Sequence, residues 1–224
     1  MTQPLNVYFA GALFSHKDLI GNALVASAIH RLSDQRYRCL VPQDMEQASS
    51  RAMDIRDQDL RAVIESDLAI FNFDGTDLDS GTVVEFVTAK NLDLPSVLVR
   101  TDFRLAGDQD KDGEPWNLMC SFFPRTEVTC LNGMQWYHEA ADPNGDELAR
   151  AARLSERLAA RLIECMDTAL AQEPVAPFDR ESLLTRYHWA LTNPGGGLAK
   201  LADDREWVEA LVDRKLAAGI YGAQ

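Results

Sequence analysis

Cysteine is scarce in this chain, and basic residues are outnumbered by acidic ones. The 224 residues include four cysteines, 22 Lys and Arg, and 35 Asp and Glu, for a formal net charge of −13. Cys39, Cys120, Cys130 and Cys165 form no Cys-x-x-Cys pair. This argues against a structural zinc site or a disulfide framework and fits a reducing compartment. So acidic a chain is a poor partner for nucleic acid polymers, whose phosphates need a basic surface.

Several informative patterns are also missing. No apolar run reaches the length that crosses a bilayer, and the first residues carry no basic leader, so we expect a soluble, cytoplasmic protein without membrane association. The turn after the first apolar run, residues 11–15, is neither a dinucleotide fingerprint nor a P-loop. No Gly-x-Ser-x-Gly nucleophile elbow occurs. The histidines are scattered, so we expect them to be surface or packing residues rather than metal ligands; they are His16, His30, His138 and His188.

What the sequence does have is an alternation of short apolar runs with helical patterns. We predict strands at 5–11, 37–42, 68–73, 95–100 and 126–131, and helices at 17–32, 54–65, 81–91, 146–172 and 204–218. This order predicts a flavodoxin- or Rossmann-like α/β fold with a doubly wound, parallel, five-stranded sheet. We assign residues 1–132 to this α/β domain and residues 133–224 to a C-terminal helical extension packed on it. The glycines at 195–197 are expected to form a flexible loop.

The predicted sheet indicates where a ligand binds. Open parallel sheets bind ligands beyond the carboxyl ends of their strands. Residues 8–15, residues 74–79 and the loop after Arg100 should therefore converge on one site.

One acid in this region lies in an apolar run. Glu85 is flanked by Val83, Val84, Phe86 and Val87, and burying a lone charge is costly unless the charge has a use or a partner. A capping box, with residue 82 as N-cap and Glu85 at the third helical position, would explain it structurally. The functional interpretation is a nucleophile or a general acid–base.

The other polar candidates also have ordinary structural interpretations. Asp79 suits a helix cap, and Asp59 lies on a charged stretch whose default is a solvated helix face. Asp67 suits a turn or cap before the third strand, and Asn117 a loop or cap. Taken singly, none of these residues defines a function.

Taken together, their order and spacing resemble the nucleoside 2-deoxyribosyltransferase family. The resemblance runs from about Val7 to Met119. It rests on four short motifs: Tyr8-Phe9-Ala10-Gly11 followed by Phe14-Ser15; Asp59 before Asp67; Asp79 before Glu85; and Asn117-Leu118-Met119.

The resemblance implies a role for each matching acid. Glu85 corresponds to the nucleophile that attacks the anomeric carbon of a 2′-deoxynucleoside and forms a covalent deoxyribosyl ester. Tyr8 corresponds to the tyrosine that orients this nucleophile. Asp59 corresponds to the acid that gives a proton to the leaving base. Asp79 corresponds to the carboxylate that accepts a hydrogen bond from the sugar 5′-hydroxyl.

The resemblance also implies binding residues and partners. Phe14 would pack against the base, and Gly11 belongs to the matching turn. Asn117, accompanied by Met119, would reach the 5′-hydroxyl from a neighbouring subunit, so a homo-oligomer, dimer or higher, is expected. The partners would be 2′-deoxynucleosides and free nucleobases, as in nucleoside salvage, with neither metal nor cofactor.

Three regions depart from the family, and two other functions stay open. Residues 133–224 have no assignable counterpart, the loop 106–114 is long, and either Glu46 or Gln47 could contact the base. Purine-only and purine-and-pyrimidine specificity are both possible. The alternatives are an N-glycosidase of 2′-deoxynucleoside 5′-monophosphates and a non-catalytic nucleotide sensor. Asp79 disfavours the former, because a carboxylate repels a 5′-phosphate.

Overall fold

Five parallel strands form the centre of the molecule. The computed structural model describes residues 3–45, 51–104, 113–142, 145–175 and 178–222. Within these ranges the strands are β1 Leu5–Ala10, β2 Tyr37–Leu40, β3 Leu68–Asn72, β4 Ser96–Arg100 and β5 Thr126–Cys130. They pair in the order β2-β1-β3-β4-β5, and every neighbouring pair is parallel. This flavodoxin-like order confirms the predicted fold class.

Helices cover both faces of the sheet. Within the described ranges their bounds are α1 His16–Leu32, α2 Ala52–Glu65, α3 Ser80–Asn91, α4 Gly133–Glu139, α5 Glu147–Ala171, α6 Arg180–Thr192, α7 Gly196–Ala202 and α8 Arg205–Ala217. The five predicted helices are confirmed to within two residues at each end. Helices α4, α6 and α7 were not predicted. Among the described helices, no stretch combines the length and apolarity that crossing a bilayer requires.

The alternation of side chains along β1 decides which face each residue meets. Val7 and Phe9 share a core with α1 and α5, whereas Tyr8 and Ala10 share a core with α2, α3, α6 and α8. Successive strand residues point to opposite faces, so this division follows directly from the sequence. It puts Tyr8 on the side of the sheet where α2 and α3 lie.

The C-terminal helices divide between the two faces. The buried residues of α5 pack with α1 residues such as Val25 and Ile29, and those of α6 and α8 pack with α2 residues such as Val63 and Ile64. Helix α7 also packs against α2. The division of the chain at residue 132 into a domain and an extension stays a prediction.

The prediction of a flexible loop at residues 195–197 is wrong in part. Gly195 is the N-cap of α7, and Gly196 and Gly197 are its first two residues. Gly195 and Gly196 have φ angles of +68° and +66°, a left-handed conformation that glycine adopts without steric cost. The glycines therefore allow a tight entry into a short helix.

Asp67 has a larger structural role than a turn or cap. Its buried carboxylate accepts hydrogen bonds from the backbone N–H of Asn6, at 2.9 Å, and from Arg214 Nη1, at 2.7 Å. The buried Nζ of Lys215 lies 4.0 Å from it. Asp67 thus connects the amino edge of the sheet to α8.

Candidate active site

A tyrosine of β1 and an acid of α3 form the closest pair at the carboxyl edge. The buried Tyr8 hydroxyl donates a hydrogen bond to Glu85 Oε1 at 2.6 Å. Tyr8 reaches Glu85 because its position in β1 directs it to the face covered by α3. One carboxylate oxygen of Glu85 is thereby held, and within the described ranges Oε2 accepts no hydrogen bond.

The capping-box interpretation of Glu85 is wrong. The N-cap of α3 is Asp79, whose Oδ2 accepts hydrogen bonds from the Thr82 backbone N–H at 2.8 Å and from Thr82 Oγ1 at 3.0 Å. Because α3 begins at Ser80, Glu85 is its sixth residue and lies beyond the unpaired N–H groups of the first turn. The helix start gives no reason for an acid at this position, and the pairing with Tyr8 does.

The Glu85 carboxyl group is desolvated and lies among other acids. Burial raises its pKa from 4.5 to about 7; the Tyr8 hydrogen bond lowers it, and the charges of Asp59 and Asp79 raise it further. The described residues supply no cation among the groups that shift this pKa. Burial also raises the pKa of Asp59, the half-buried acid that α2 brings to this site. Burial and the neighbouring Glu85 charge raise the pKa of Tyr8 far above its usual value, so Tyr8 remains a proton donor.

The residues beside Glu85 in the sequence divide between the core and the surface. Phe86 is fully buried and Val83 packs against the core, whereas Val84 and Val87 are 55% and 40% exposed. Two of the four apolar neighbours of Glu85 therefore face solvent.

The three loops that were predicted to converge do lie at one edge of the sheet. A Cβ atom on Gly11 would lie 3.0 Å from the Asn72 Cβ, so the ends of β1 and β3 approach closely. The Asp74 carboxylate accepts hydrogen bonds from the Thr101 N–H at 2.5 Å, the Thr101 hydroxyl at 2.7 Å and the Asp102 N–H at 2.8 Å. Asp74 joins the ends of β3 and β4. No role was predicted for Asp74, although an acid directly after a buried strand lies where a parallel sheet binds its ligand.

Two hollows flank this edge, and neither is lined by Glu85. One, of about 560 Å³, lies on the α1 and α5 side and includes Phe9, Asn22 and Leu158 in its lining. The other, of about 530 Å³, lies beside α3. The cluster of carboxylates, rather than the size of a cavity, defines the candidate site. Glu46 and Gln47, and most of the loop 106–114, lie outside the described residues.

Asn117 and Met119 lie beside the start of α3. The Asn117 Oδ1 accepts a hydrogen bond from the Met119 N–H at 2.9 Å, which caps a short 3₁₀ turn. Both residues line the 530 Å³ hollow together with Ser80, Val83 and Val84. Glu85 does not line this hollow, and among the described residues no hydrogen bond joins Asn117 to Glu85.

The remaining candidate, Phe14, is 77% exposed and lies just before Ser15, the N-cap of α1. The structure brings together Tyr8, Asp59, Asp79 and Glu85. It leaves Phe14 on the surface of the loop after β1.

The fold is a doubly wound α/β sheet, and a desolvated carboxylate held by a tyrosine lies at its carboxyl edge. These two features define a class of proteins whose candidate active site is at that edge. A family model, nucleoside 2-deoxyribosyltransferase, matches residues 7–119, which is half of the chain. This protein belongs to the nucleoside 2-deoxyribosyltransferase family, and the resemblance in the sequence is confirmed.

Three solved structures are among those similar to this chain. A 2-deoxyribosyltransferase from Leishmania mexicana is 23% identical, with a TM-score of 0.43, over 53% of this chain and 87% of that one. A conserved protein from Enterococcus faecalis V583 is 22% identical, with a TM-score of 0.47, over 75% and 99%. A 2-deoxyribosyltransferase from Bacillus psychrosaccharolyticus is 18% identical, with a TM-score of 0.37, over 46% and 77%. A search of curated proteins finds no match.

Proposed function

We propose that this protein transfers the 2-deoxyribosyl group between nucleobases, through a covalent intermediate on Glu85, in nucleoside salvage. The observation that carries the proposal is the 2.6 Å hydrogen bond between Tyr8 and a Glu85 carboxyl group whose pKa burial raises to about 7. A desolvated, oriented carboxylate is the group that retaining glycosyl transfer requires as its nucleophile. Family membership supplies the substrate class.

In the first half-reaction Glu85 Oε2 attacks the anomeric carbon of the donor, and the bond from that carbon to the base nitrogen breaks. The bonding electrons leave with the base, which takes a proton from Asp59. The raised pKa of Asp59 suits it to hold that proton. Tyr8 keeps Oε1 in place while Oε2 becomes an ester oxygen.

In the second half-reaction another base attacks the anomeric carbon from the opposite face. The ester bond breaks, Glu85 is released as a carboxylate, and Asp59 recovers a proton from the incoming base. Two inversions give overall retention of configuration. If water attacked in place of the acceptor base, the result would be hydrolysis. The burial of Glu85 therefore also favours transfer over hydrolysis.

Asp79 favours a free 5′-hydroxyl over a 5′-phosphate. Both of its hydrogen bonds to residue 82 use Oδ2, and its negative charge acts on Glu85. A hydroxyl group could donate to Oδ1, whereas a phosphate would meet like charge. This supports deoxynucleosides rather than deoxynucleotides as substrates.

A second copy of the chain would complete the site. No described hydrogen bond joins Asn117 to Glu85 in its own chain, and several large apolar side chains of α3 and of the turn after Asn117 are exposed; these are Val84, Val87, Leu118, Met119 and Phe122. We propose that a partner copy covers this surface and that Asn117 acts in the partner's site. The functional unit is then a dimer or a higher oligomer.

The function is tested by incubating the protein with 2′-deoxyinosine, with and without adenine. We expect 2′-deoxyadenosine to form only when adenine is present. Release of free base at the same rate without any acceptor would favour a hydrolase. Activity restricted to 5′-monophosphates would favour the N-glycosidase, and no turnover of either substrate would favour a sensor.

The nucleophile is tested by intact-mass measurement after donor is added without acceptor. We expect a deoxyribosyl adduct on the wild-type protein and none on Glu85→Ala. Full activity of Glu85→Ala would contradict the mechanism.

The shared site is tested by mixing two inactive variants. Glu85→Ala and Asn117→Ala should each lose most transfer activity, and subunit exchange between them should restore part of it, because a mixed interface contains one complete site. If the mixture stays inactive although the subunits exchange, Asn117 does not act in trans.

A further inference from the structure

Three consecutive residues of α2 contact three different parts of the molecule. Asp57 accepts a hydrogen bond from the Gly197 N–H of α7, at 2.6 Å. Gln58 Nε2 donates to the carbonyl oxygen of Met45, and the charge of Asp59 acts on the Tyr8–Glu85 pair. Successive helix residues point about 100° apart, so these contacts fix the rotation of α2 about its axis.

The contact between Asp57 and α7 is closely fitted. The Asp57 side chain is only 12% exposed, and its Oδ1 accepts from Arg56 while its Oδ2 accepts from Gly197. A Cβ atom on Gly196 would lie 2.6 Å from Arg56 Nη2 and 2.8 Å from Asp57 Oδ2. The start of α7 can approach α2 this closely only because residue 196 has no side chain.

The other end of α2 is held by α8. Arg214 Nη2 donates to the Glu65 carbonyl oxygen at 2.6 Å, and Lys215 Nζ donates to the Ser66 carbonyl oxygen. Between the two ends, the Arg61 guanidinium lies over the Trp207 ring of α8, 5.4 Å from its centroid. The C-terminal helices therefore hold α2 from its second turn to its end.

We propose that α7 and α8 position the proton donor Asp59. Of the contacts that do so, the one between Asp57 and Gly197 lies nearest to Asp59 along α2. Asp57 acts through α2 and touches no substrate, so it is a positioning residue. The inference rests on the proposed function of Asp59. It assigns a catalytic purpose to the glycines at 195–197 and to helices beyond the part of the chain that matches the family.

Gly196→Ala tests the proposal, with Gly195→Ala as a matched control. Both residues have a positive φ, so both variants strain the backbone at the entry to α7. A Cβ atom on Gly195 meets nothing within 4 Å, whereas one on Gly196 presses on the side-chain ends of Arg56 and Asp57. A selective loss in Gly196→Ala therefore reports a disturbed contact between Asp57 and α7.

The readout compares the release of base from two donors, 2′-deoxyguanosine and 7-methyl-2′-deoxyguanosine, in a single turnover without acceptor. The methylated base already carries a positive charge and can leave without receiving a proton, so its release does not need a well-placed Asp59. We expect the rate of base release from 2′-deoxyguanosine to be at least about tenfold lower in Gly196→Ala than in Gly195→Ala. For the methylated donor the two variants should agree within about threefold.

A second pair of variants removes the contact without adding bulk. Asp57→Ala should show the same selective loss with the unmethylated donor, whereas Asp54→Ala, a more exposed acid on the same helix, should not. This pair decides the question if Gly196→Ala does not fold. Equal losses with both donors, or no loss in either test variant, would overturn the positioning role. A wild-type protein without transfer activity would instead refute the proposed function.

Discussion

Two groups of acids at opposite edges of the sheet differ in how they are paired. At the carboxyl edge, Glu85, Asp59 and Asp79 lie together without a cation among the groups that shift the Glu85 pKa. At the amino edge, Asp67 and Asp93 are each paired with a basic residue. The difference teaches that this protein does pair its acids with cations, at the carboxyl edge too in the case of Asp102 and Arg104, but leaves the Glu85 cluster without such a pair.

The amino edge shows what full pairing looks like. Asp67 Oδ1 lies 2.7 Å from Arg214 Nη1, and Asp93 Oδ2 lies 3.3 Å from Arg125 Nη1. Burial lowers the pKa of Lys215 to about 7, and the nearby Asp67 opposes that shift. Asp67 and Asp93 thus each meet a donor, whereas Glu85 at the other edge is desolvated and has no cation among the groups that shift its pKa.

The largest effect is expected from breaking the amino edge. Asp67→Ala leaves Lys215 and part of Arg214 buried without their acid, and removing one partner of a buried pair costs about 3–5 kcal/mol. Urea unfolding at pH 6 measures this loss. Glu65→Ala, which breaks an exposed pair with Arg61, should cost no more than about 1 kcal/mol. Similar losses for the two variants would contradict the contrast between the edges.

Next in size is the loss of the proton donor at the carboxyl edge. Asp59→Asn should lower kcat for 2′-deoxyguanosine by about a hundredfold, because the amide cannot supply a proton to the base. The negative charge of Asp59 raises the Glu85 pKa, so the acidic limb of the pH–rate profile should also move to lower pH. An unchanged profile and an unchanged rate would remove Asp59 from the mechanism.

A smaller effect concerns the stability that the folded protein loses because Glu85 is buried. The Glu85 pKa rises from 4.5 in the unfolded chain to about 7 in the folded protein, so folding takes up a proton between these pH values. Relative to Glu85→Gln, the wild-type protein should therefore lose stability as the pH rises from 4.5 to 7. Thermal unfolding should show the variant more stable by about 1–2 kcal/mol at pH 8 and little different at pH 4.5.

The smallest effect is expected for Tyr8→Phe. The wild-type rate should rise with pH through about 7 as Glu85 ionises. Because the Tyr8 hydrogen bond lowers that pKa, the variant's acidic limb should move to higher pH, with a loss of up to about tenfold below it. Tyr37→Phe, which removes a hydroxyl bonded to Asp167 away from the site, is the control. Coincident profiles for Tyr8→Phe and wild type would contradict the role of Tyr8.

The positions of the strands along the chain and the spacing of the acids could be predicted because their signals are local. Buried strands appear as apolar runs, and the spacing from Asp59 to Asp79 and Glu85 is preserved within one chain segment. Helix α6 was missed although its buried residues have helical spacing; they are Leu183, Tyr187, Ala190 and Leu191. That stripe would have been sufficient to predict it.

Other features depend on tertiary contacts that no local pattern carries. Either Asp79 or Thr82 could have capped α3, and the path of the chain leaving β3 decides between them. The basic partners of Asp67 come from α8, and Arg214 lies 147 residues later in the chain. The approach of Gly197 to Asp57 spans 140 residues and likewise depends on how helices pack.

The double use of Asp79 constrains how this protein could change. On the proposed function, one oxygen of Asp79 caps α3 and the other accepts a hydrogen bond from the sugar 5′-hydroxyl. Most substitutions that admit a 5′-phosphate would therefore also destabilise the helix that carries Glu85. Serine is an exception, since its hydroxyl caps helices well and carries no charge. Few substitutions of Asp79 would therefore let descendants of this protein change from nucleosides to nucleotides, because the new residue must still cap α3.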